Sequence, residues 1–202
     1  MADSLYLSLW FPDFAGAEMF KHSLAVLRQF PFSTRLPGIS NVAVHPISWN
    51  EATILEQRFS PGIAPEEAIL YAAGIIHEDY AYVFEANWEL WAPRTWREDA
   101  APAEWTLQPS VVRFIVRGEE FDEAESETRG EIEVDFGIDA PFLHEELQLS
   151  GEVESRVRAN VQMLVEFIKR VETNSGTSAR LLWSESDESL AQKLVSRLQK
   201  VQ

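Results

Sequence analysis

Acidic and basic side chains alternate with apolar ones along three predicted strands of this 202-residue chain. Residues two apart on a strand point to the same face of a sheet, so each polar set would share one face. If the strands are neighbours, two arginines would lie between two rows of acids, and paired carboxylates could act as general acid and base. The polar positions are Glu85, Asn87 and Glu89; Arg113 and Arg117; and Glu131, Glu133 and Asp135.

The same pattern also has a purely structural interpretation. Charged alternation usually faces water, and a cross-strand ion pair contributes about 0.2–1 kcal/mol. Carboxylates are so frequent in this chain that pairing by chance is expected. We therefore favour a solvated sheet face over a catalytic groove.

Four tryptophans fall within residues 88–105, which is a second candidate for function. Tryptophans in a loop usually attach an irregular segment to the body, because each buries a large apolar area. An aromatic surface for a ligand or partner is the alternative, since Trp and Arg are enriched at binding hot spots. The residues proposed for that surface are Trp91, Trp96 and Trp105, with Arg94 and Arg97 beside them.

The negative charge of the chain is concentrated in residues 119–154. This stretch carries fourteen Asp and Glu against one base, Arg129, and so holds 13 of the 16 excess negative charges. A local acidic field favours a basic partner, because charge complementarity raises association rates and disfavours wrong partners. A solubility element is the alternative interpretation. The residues proposed for partner binding are Glu119, Glu120, Glu123, Glu125 and Glu127.

Residues 119–129 are predicted to form a long, charged, mobile loop between the fifth and sixth strands. Phe121 is their only large apolar residue, and they carry seven charges of largely one sign. That composition provides too little burial to offset the entropy of ordering the loop.

No motif for catalysis or cofactor binding is present. The chain has no cysteine, which excludes disulfides and thiol nucleophiles. The four histidines, at positions 22, 45, 77 and 144, lack any local zinc-binding spacing, so no metal or cofactor is predicted. Phosphate-binding, dinucleotide-binding and nucleophile-elbow motifs are absent, while a Ser/His/carboxylate triad assembled by folding stays open.

Composition also bears on partners and location. A sequence pI near 4.6 argues against general nucleic-acid binding, because phosphate contacts need clustered Lys and Arg. No apolar run approaches the roughly 20 residues of a membrane helix, so no membrane contact is expected. The first residues, Met1 to Ser4, lack the basic start of a signal peptide, and a cytoplasmic location is the expectation.

Hydrophobic periodicity predicts the elements that position these residues. Period-two patterns indicate strands, and apolar positions three and four apart indicate helices. The predicted strands cover 5–11, 42–49, 53–59, 80–90, 112–116, 132–138 and 181–183. The predicted helices cover 15–30, 65–76, 153–171 and 186–201.

This element order predicts one α+β domain over residues 1–202, with possible sub-lobes at 1–91 and 108–202. We expect a mainly antiparallel sheet of about seven strands with helices packed on one face. The first half has the β-α-β-β-α-β order of a ferredoxin-like unit.

Three hypotheses for function follow. The first is a cytoplasmic, non-enzymatic interaction protein with an acidic surface for a basic protein partner. The second is a small-molecule-binding domain or hydrolytic enzyme with a pocket near the Trp-rich loop 91–105. The third is a structural homo-oligomer formed through exposed apolar residues.

Overall fold

A computed structural model describes residues 3–94, 104–143 and 151–184 of the chain. The strands are β1 Ser4–Trp10, β2 Ile39–Pro46, β3 Leu55–Ile63, β4 Tyr80–Pro93, β5 Trp105–Arg117, β6 Ile132–Ile138 and β7 Ala179–Ser184. The helices are α1 Ala17–Leu27, α2 Pro65–Ala73, α3 Ser126–Arg129, α4 Ala140–Leu143 and α5 Gly151–Asn174. The last predicted helix, 186–201, lies outside the described residues.

The seven strands form one sheet in the order β3-β2-β4-β5-β6-β1-β7, and every neighbouring pair is antiparallel. The predicted α+β class with a seven-stranded antiparallel sheet is therefore confirmed. The first six elements follow the predicted order. A ferredoxin-like arrangement is not confirmed, because β1 lies between β6 and β7, away from β2, β3 and β4.

One face of the sheet forms the core with α1, α2, α4 and α5. Alternate strand residues such as Leu7 and Trp88 are fully buried there. The α5 residue Phe167 packs edge-on against Phe136 of β6, with ring centroids 6.0 Å apart, and Phe142 of α4 contacts Trp88 at 5.8 Å. The apolar positions of α5 recur every three or four residues, which places them on this one face.

The outer half of β4 extends past β2, and its free edge is covered by other parts of the chain. The backbone N–H of Ser33 donates to the carbonyl of Asn87 at 2.6 Å. Further along, the amide of Asn160 on α5 bonds both the N–H and the carbonyl of Trp91, at 2.9 and 2.8 Å. Unpaired strand edges promote aggregation, so these contacts both protect β4 and attach α5 to it.

The structure corrects the predicted Trp-rich loop 91–105 at both of its ends. β4 continues to Pro93 and β5 begins at Trp105, and these two residues are paired in a long hairpin. Proline and alanine near the hairpin end lowered the strand signal, whereas cross-strand pairing decides the outcome. The one-turn helices α3 and α4 were not predicted. Among the described residues, no helix has the length and apolar character needed to cross a membrane.

Candidate functional site

The sheet face opposite α1, α2, α4 and α5, here called the open face, carries the alternating polar residues. Pairing of β2, β4, β5 and β6 places Asn41, Glu85, Arg113 and Asp135 side by side. Arg113 Nε donates to Glu85 Oε1 at 3.0 Å, and Arg113 Nη1 lies 3.7 Å from Asp135 Oδ2. β4, β5 and β6 are thus neighbours in that order, which is the condition stated for the polar pattern, and Arg113 lies between two acidic residues.

Arg117, the second arginine of β5, is buried and not solvated. Only 2% of it is exposed, and the same is true of Glu133. Arg117 Nη2 donates to Glu133 Oε1 at 3.1 Å, and Arg117 Nε donates to Glu125 Oε2 at 2.9 Å. The expectation of a solvated face is wrong for this pair, because residues 119–129 cover it.

Residues 119–129, the acidic segment, fold onto the open face. Phe121 is fully buried and packs edge-on against Trp49, with ring centroids 4.9 Å apart. Trp49 Nε1 donates to Glu125 Oε2 at 2.8 Å, the same carboxylate oxygen that accepts from Arg117. The expectation of a loop without fixed contacts is thus corrected. One apolar anchor and one buried arginine provide the contacts that the composition alone does not reveal.

Two glycines fix the ends of the acidic segment. A Cβ on Gly118 would lie 2.2 Å from the carbonyl oxygen of Glu78, so only glycine allows this close approach. Gly130 has φ +92°, in the region that favours glycine, and its added Cβ would lie 2.8 Å from Leu9 N. The segment therefore begins and ends at fixed positions on the sheet.

Between these glycines the backbone is strained. Asp122, Glu123 and Ala124 have φ of 47°, 54° and 65°. Ile47, which directly follows β2 and contacts the segment, has φ 60°. The left-handed region costs a non-glycine residue about 1–2 kcal/mol. The backbone N–H of Asp122 donates to the carbonyl of Ile47 at 2.7 Å, so a hydrogen bond joins the two strained sites. Surrounding contacts must maintain this conformation.

We expect Gly118→Ala to lower the free energy of unfolding by about 1–3 kcal/mol, because the new methyl group would overlap the backbone of Glu78. Urea unfolding measures this change. Gly74→Ala is the matched control, since Gly74 has φ −70° and a Cβ there meets nothing within 4 Å. Equal losses in both variants would contradict the close approach at Gly118.

Two clefts, of about 540 and 290 Å³, open on the same face and share Asn41, Glu85 and Arg113. The larger extends toward β3 along Arg58, and the smaller extends toward Trp49. Neither cleft is lined by a residue of the Trp-rich stretch. The two clefts therefore do not lie near residues 91–105, where a pocket was predicted.

Two buried polar atoms without a partner among the described residues border the smaller cleft. Asn41 is 8% exposed, and its Oδ1 has no hydrogen-bond partner among the described residues. His45 Nδ1 is likewise buried and unpaired within that part of the chain. Burial lowers the pKa of His45, and the nearby Glu56 only partly opposes this, so the environment favours the neutral imidazole.

Burial acts in the opposite direction on the carboxyl groups of β6. It raises the pKa of Glu133, and Arg117 offsets this only in part. It also raises the pKa of Glu131, although the Phe11 N–H donates to its Oε2 at 2.6 Å. The open face therefore contains carboxyl groups whose charge depends on their partners.

The tryptophans and arginines proposed for an aromatic surface have different environments in the structure. Trp105 is 5% exposed and pairs with Pro93 of β4. Trp91 is half-buried beneath the Arg156 guanidinium, which lies 4.9 Å from its ring centroid. Arg94 is exposed beside Glu104, at 3.7 Å. Trp96 and Arg97 lie outside the described residues. The two described tryptophans are thus largely covered by the rest of the chain.

The acidic candidates fall into two groups. Four glutamates of the acidic segment are exposed, namely Glu119, Glu120, Glu123 and Glu127. Glu125 instead lies inside the segment, bonded to Arg117 and Trp49. Sequence reasoning missed Asn41 and His45, although their alternation with Val42 and Val44 was visible.

Comparisons of the chain with protein-family models, with curated proteins and with solved structures found no match. The geometry of the site therefore provides the evidence on function. Within residues 3–94, 104–143 and 151–184, no three acidic or histidine side chains are grouped so as to hold a metal ion.

Proposed function

We propose that the protein is a cytoplasmic, non-enzymatic binding protein whose acidic segment and open face receive a basic protein partner. One observation carries this proposal: the acidic segment is held in a strained backbone conformation with four carboxylates exposed. The lack of cysteine fits a reducing compartment.

Strain separates this proposal from a solubility role. A solubilising loop needs charge but no fixed position, and nothing would favour a left-handed run of Asp122 to Ala124 in it. Strained backbone clusters at binding and catalytic sites, where it holds groups in place before the ligand arrives. Prearranged carboxylates lose little freedom on binding, which lowers the entropic cost of association.

The proposal requires a revised set of binding residues. Glu125 is excluded because its carboxylate holds Arg117 and Trp49, so its neutralisation would disturb the segment itself. The exposed carboxylates remain free to act at a distance. Such charges steer an approaching partner over about 8 Å at physiological ionic strength. The residues that remain are Glu119, Glu120, Glu123 and Glu127.

Changing these four glutamates to Gln is expected to slow partner association about tenfold at low salt, and much less at high salt. Dissociation should change little, because exposed charges act mainly on the encounter. The measurement is association kinetics at two salt concentrations, with the partner isolated by pull-down on the wild-type protein.

The control removes the same charge from the helical side of the molecule. Four exposed glutamates on α2 and α5 serve, namely Glu66, Glu152, Glu166 and Glu172. The position of the acidic segment matters only if this control associates at the wild-type rate. An equal slowing in both variants would mean that the acidic segment affects association only through the net charge of the protein.

A second candidate is a small-molecule-binding domain, and the larger cleft favours it. Its volume of about 540 Å³ lies in the usual range of roughly 300–1,000 Å³ for ligand sites. Asn41, Arg58 and Arg113 offer polar contacts there. Protection of the protein against thermal unfolding by a metabolite, lost on changing Asn41 to Ala, would support this candidate over the first.

A further inference from the structure

The smaller cleft has a flat apolar floor. Ala43, Val83 and Ile115 are paired across β2, β4 and β5, so their side chains form one row on the open face. Val83 is 8% exposed, and the cleft encloses about 290 Å³. An alkyl chain can lie along such a row with its polar end in reach of the rim, as the methylene groups of Lys and Arg do.

Two polar atoms at the cleft have no hydrogen-bond partner among the described residues, and Arg113, the cation of the lining, is already bonded to Glu85. Asn41 Oδ1, an acceptor, and His45 Nδ1, an acceptor when the ring is protonated at Nε2, are buried beside the cleft without a partner among the described residues. Arginine guanidinium and lysine ammonium groups are donors only, and they carry several N–H bonds each. A ligand of this kind complements the cleft, whereas a carboxylate or phosphate would add further acceptors.

The charges around the cleft point the same way. Arg113 is held by Glu85 at 3.0 Å and by Asp135 at 3.7 Å, and Arg58 is held by Glu56 at 3.1 Å. Three carboxylates therefore surround two guanidinium groups, leaving one negative charge in excess. One bound cation would neutralise this cluster.

Trp49 joins the cleft to the acidic segment. It forms a wall of the cleft, is 36% exposed, and donates its indole N–H to Glu125. A cation attracted by the exposed carboxylates would thus reach the cleft without leaving the negative field.

We propose that this cleft binds one arginine or lysine side chain of the partner, with its methylene groups on the apolar floor and its cation between Asn41, Glu85 and Glu56. This inference rests on the proposed function, which supplies the basic partner, and it adds the position where one cationic side chain inserts.

The test uses the whole chain and small probes instead of the partner. N-acetyl-argininamide and N-acetyl-lysinamide are titrated into ¹⁵N-labelled protein, and amide and indole shifts are followed by NMR. We expect saturating shifts at Asn41, Trp49 and Ile115 at up to about 50 mM, since one side chain binds in the millimolar range. N-acetyl-citrullinamide, the neutral analogue of the arginine probe, should bind at least about fivefold more weakly.

Two variants change the carboxylate and the apolar floor of the cleft. Glu85→Gln should weaken binding of the arginine probe at least about threefold, and Ala43→Leu should abolish it by filling the floor. Glu66→Gln, outside the cleft, is the matched control. Equal binding of the arginine and citrulline probes, or shifts that avoid the cleft, would overturn the inference. Probe binding does not depend on the four exposed glutamates, so this failure is distinguishable from failure of the acidic segment to steer a partner.

Discussion

Replacing Arg117 with Met is expected to lower the free energy of unfolding by about 3–5 kcal/mol. The substitution removes the cation that faces Glu133, a carboxylate that is 2% exposed and would be left buried without compensation. It also removes the bond that holds Glu125. Urea unfolding at about pH 7 measures the loss.

The loss should depend on pH with a definite sign. Burial raises the pKa of Glu133 above its ordinary value of 4.5, and without Arg117 this pKa should rise further. A carboxyl whose folded pKa is raised favours the folded state when protonated. That contribution is lost as the pH rises above about 4.5 toward the folded pKa. The deficit of the variant should therefore be smaller at about pH 4 than at about pH 7.

The double variant Arg117→Met with Glu133→Leu is the control for charge. Replacing a buried ion pair by apolar residues is often close to neutral, so most of the stability should return. A double variant as unstable as the single one would mean that lost packing, and not an uncompensated carboxylate, explains the effect. Cleavage by a Glu-directed protease within 119–129 should also be faster in the single variant than in the wild type, since the acidic segment loses its anchor.

Replacing Leu164 with Ala should lower the free energy of unfolding by about 2–5 kcal/mol, through lost burial and the cavity left behind. Leu164 is fully buried on the face of α5 that meets the sheet. Leu70→Ala is the same change at a site that is 72% exposed, where surface substitutions stay within about 0.5 kcal/mol. Similar losses in the two variants would remove α5 from the core.

Strand parity made much of the open face predictable. The alternation on β4, β5 and β6 determined which side chains share a face, and antiparallel pairing then brought Arg113 beside Glu85 and Asp135. Parity carries no information on which strands are neighbours over long sequence distances. The position of β1 between β6 and β7 could therefore not be derived, because it depends on contacts between the two ends of the chain.

The acidic segment was mispredicted for a related reason. Composition carries no information on contacts with other parts of the chain, and a segment with seven charges and one phenylalanine has the composition of a disordered loop. One contact that orders the segment comes from a distant position, since Trp49 precedes Phe121 by 72 residues. The other, from Arg117 to Glu125, depends on the pairing of β5 with β6, which buries Arg117 against Glu133. The cleft was missed because Asn41 and His45 are unremarkable residues until β3 and β5 frame them.

Burial of Arg117 also has a consequence for kinetics. Its partners lie on β6 and in the acidic segment, which also rests on Trp49 after β2, so the full set of contacts exists only when the sheet is assembled. Interactions that form late in folding slow unfolding more than they speed folding. The Arg117 contacts are thus expected to slow unfolding and lengthen the lifetime of the folded state. The folding rate would depend instead on the hairpin contacts of β4 and β5.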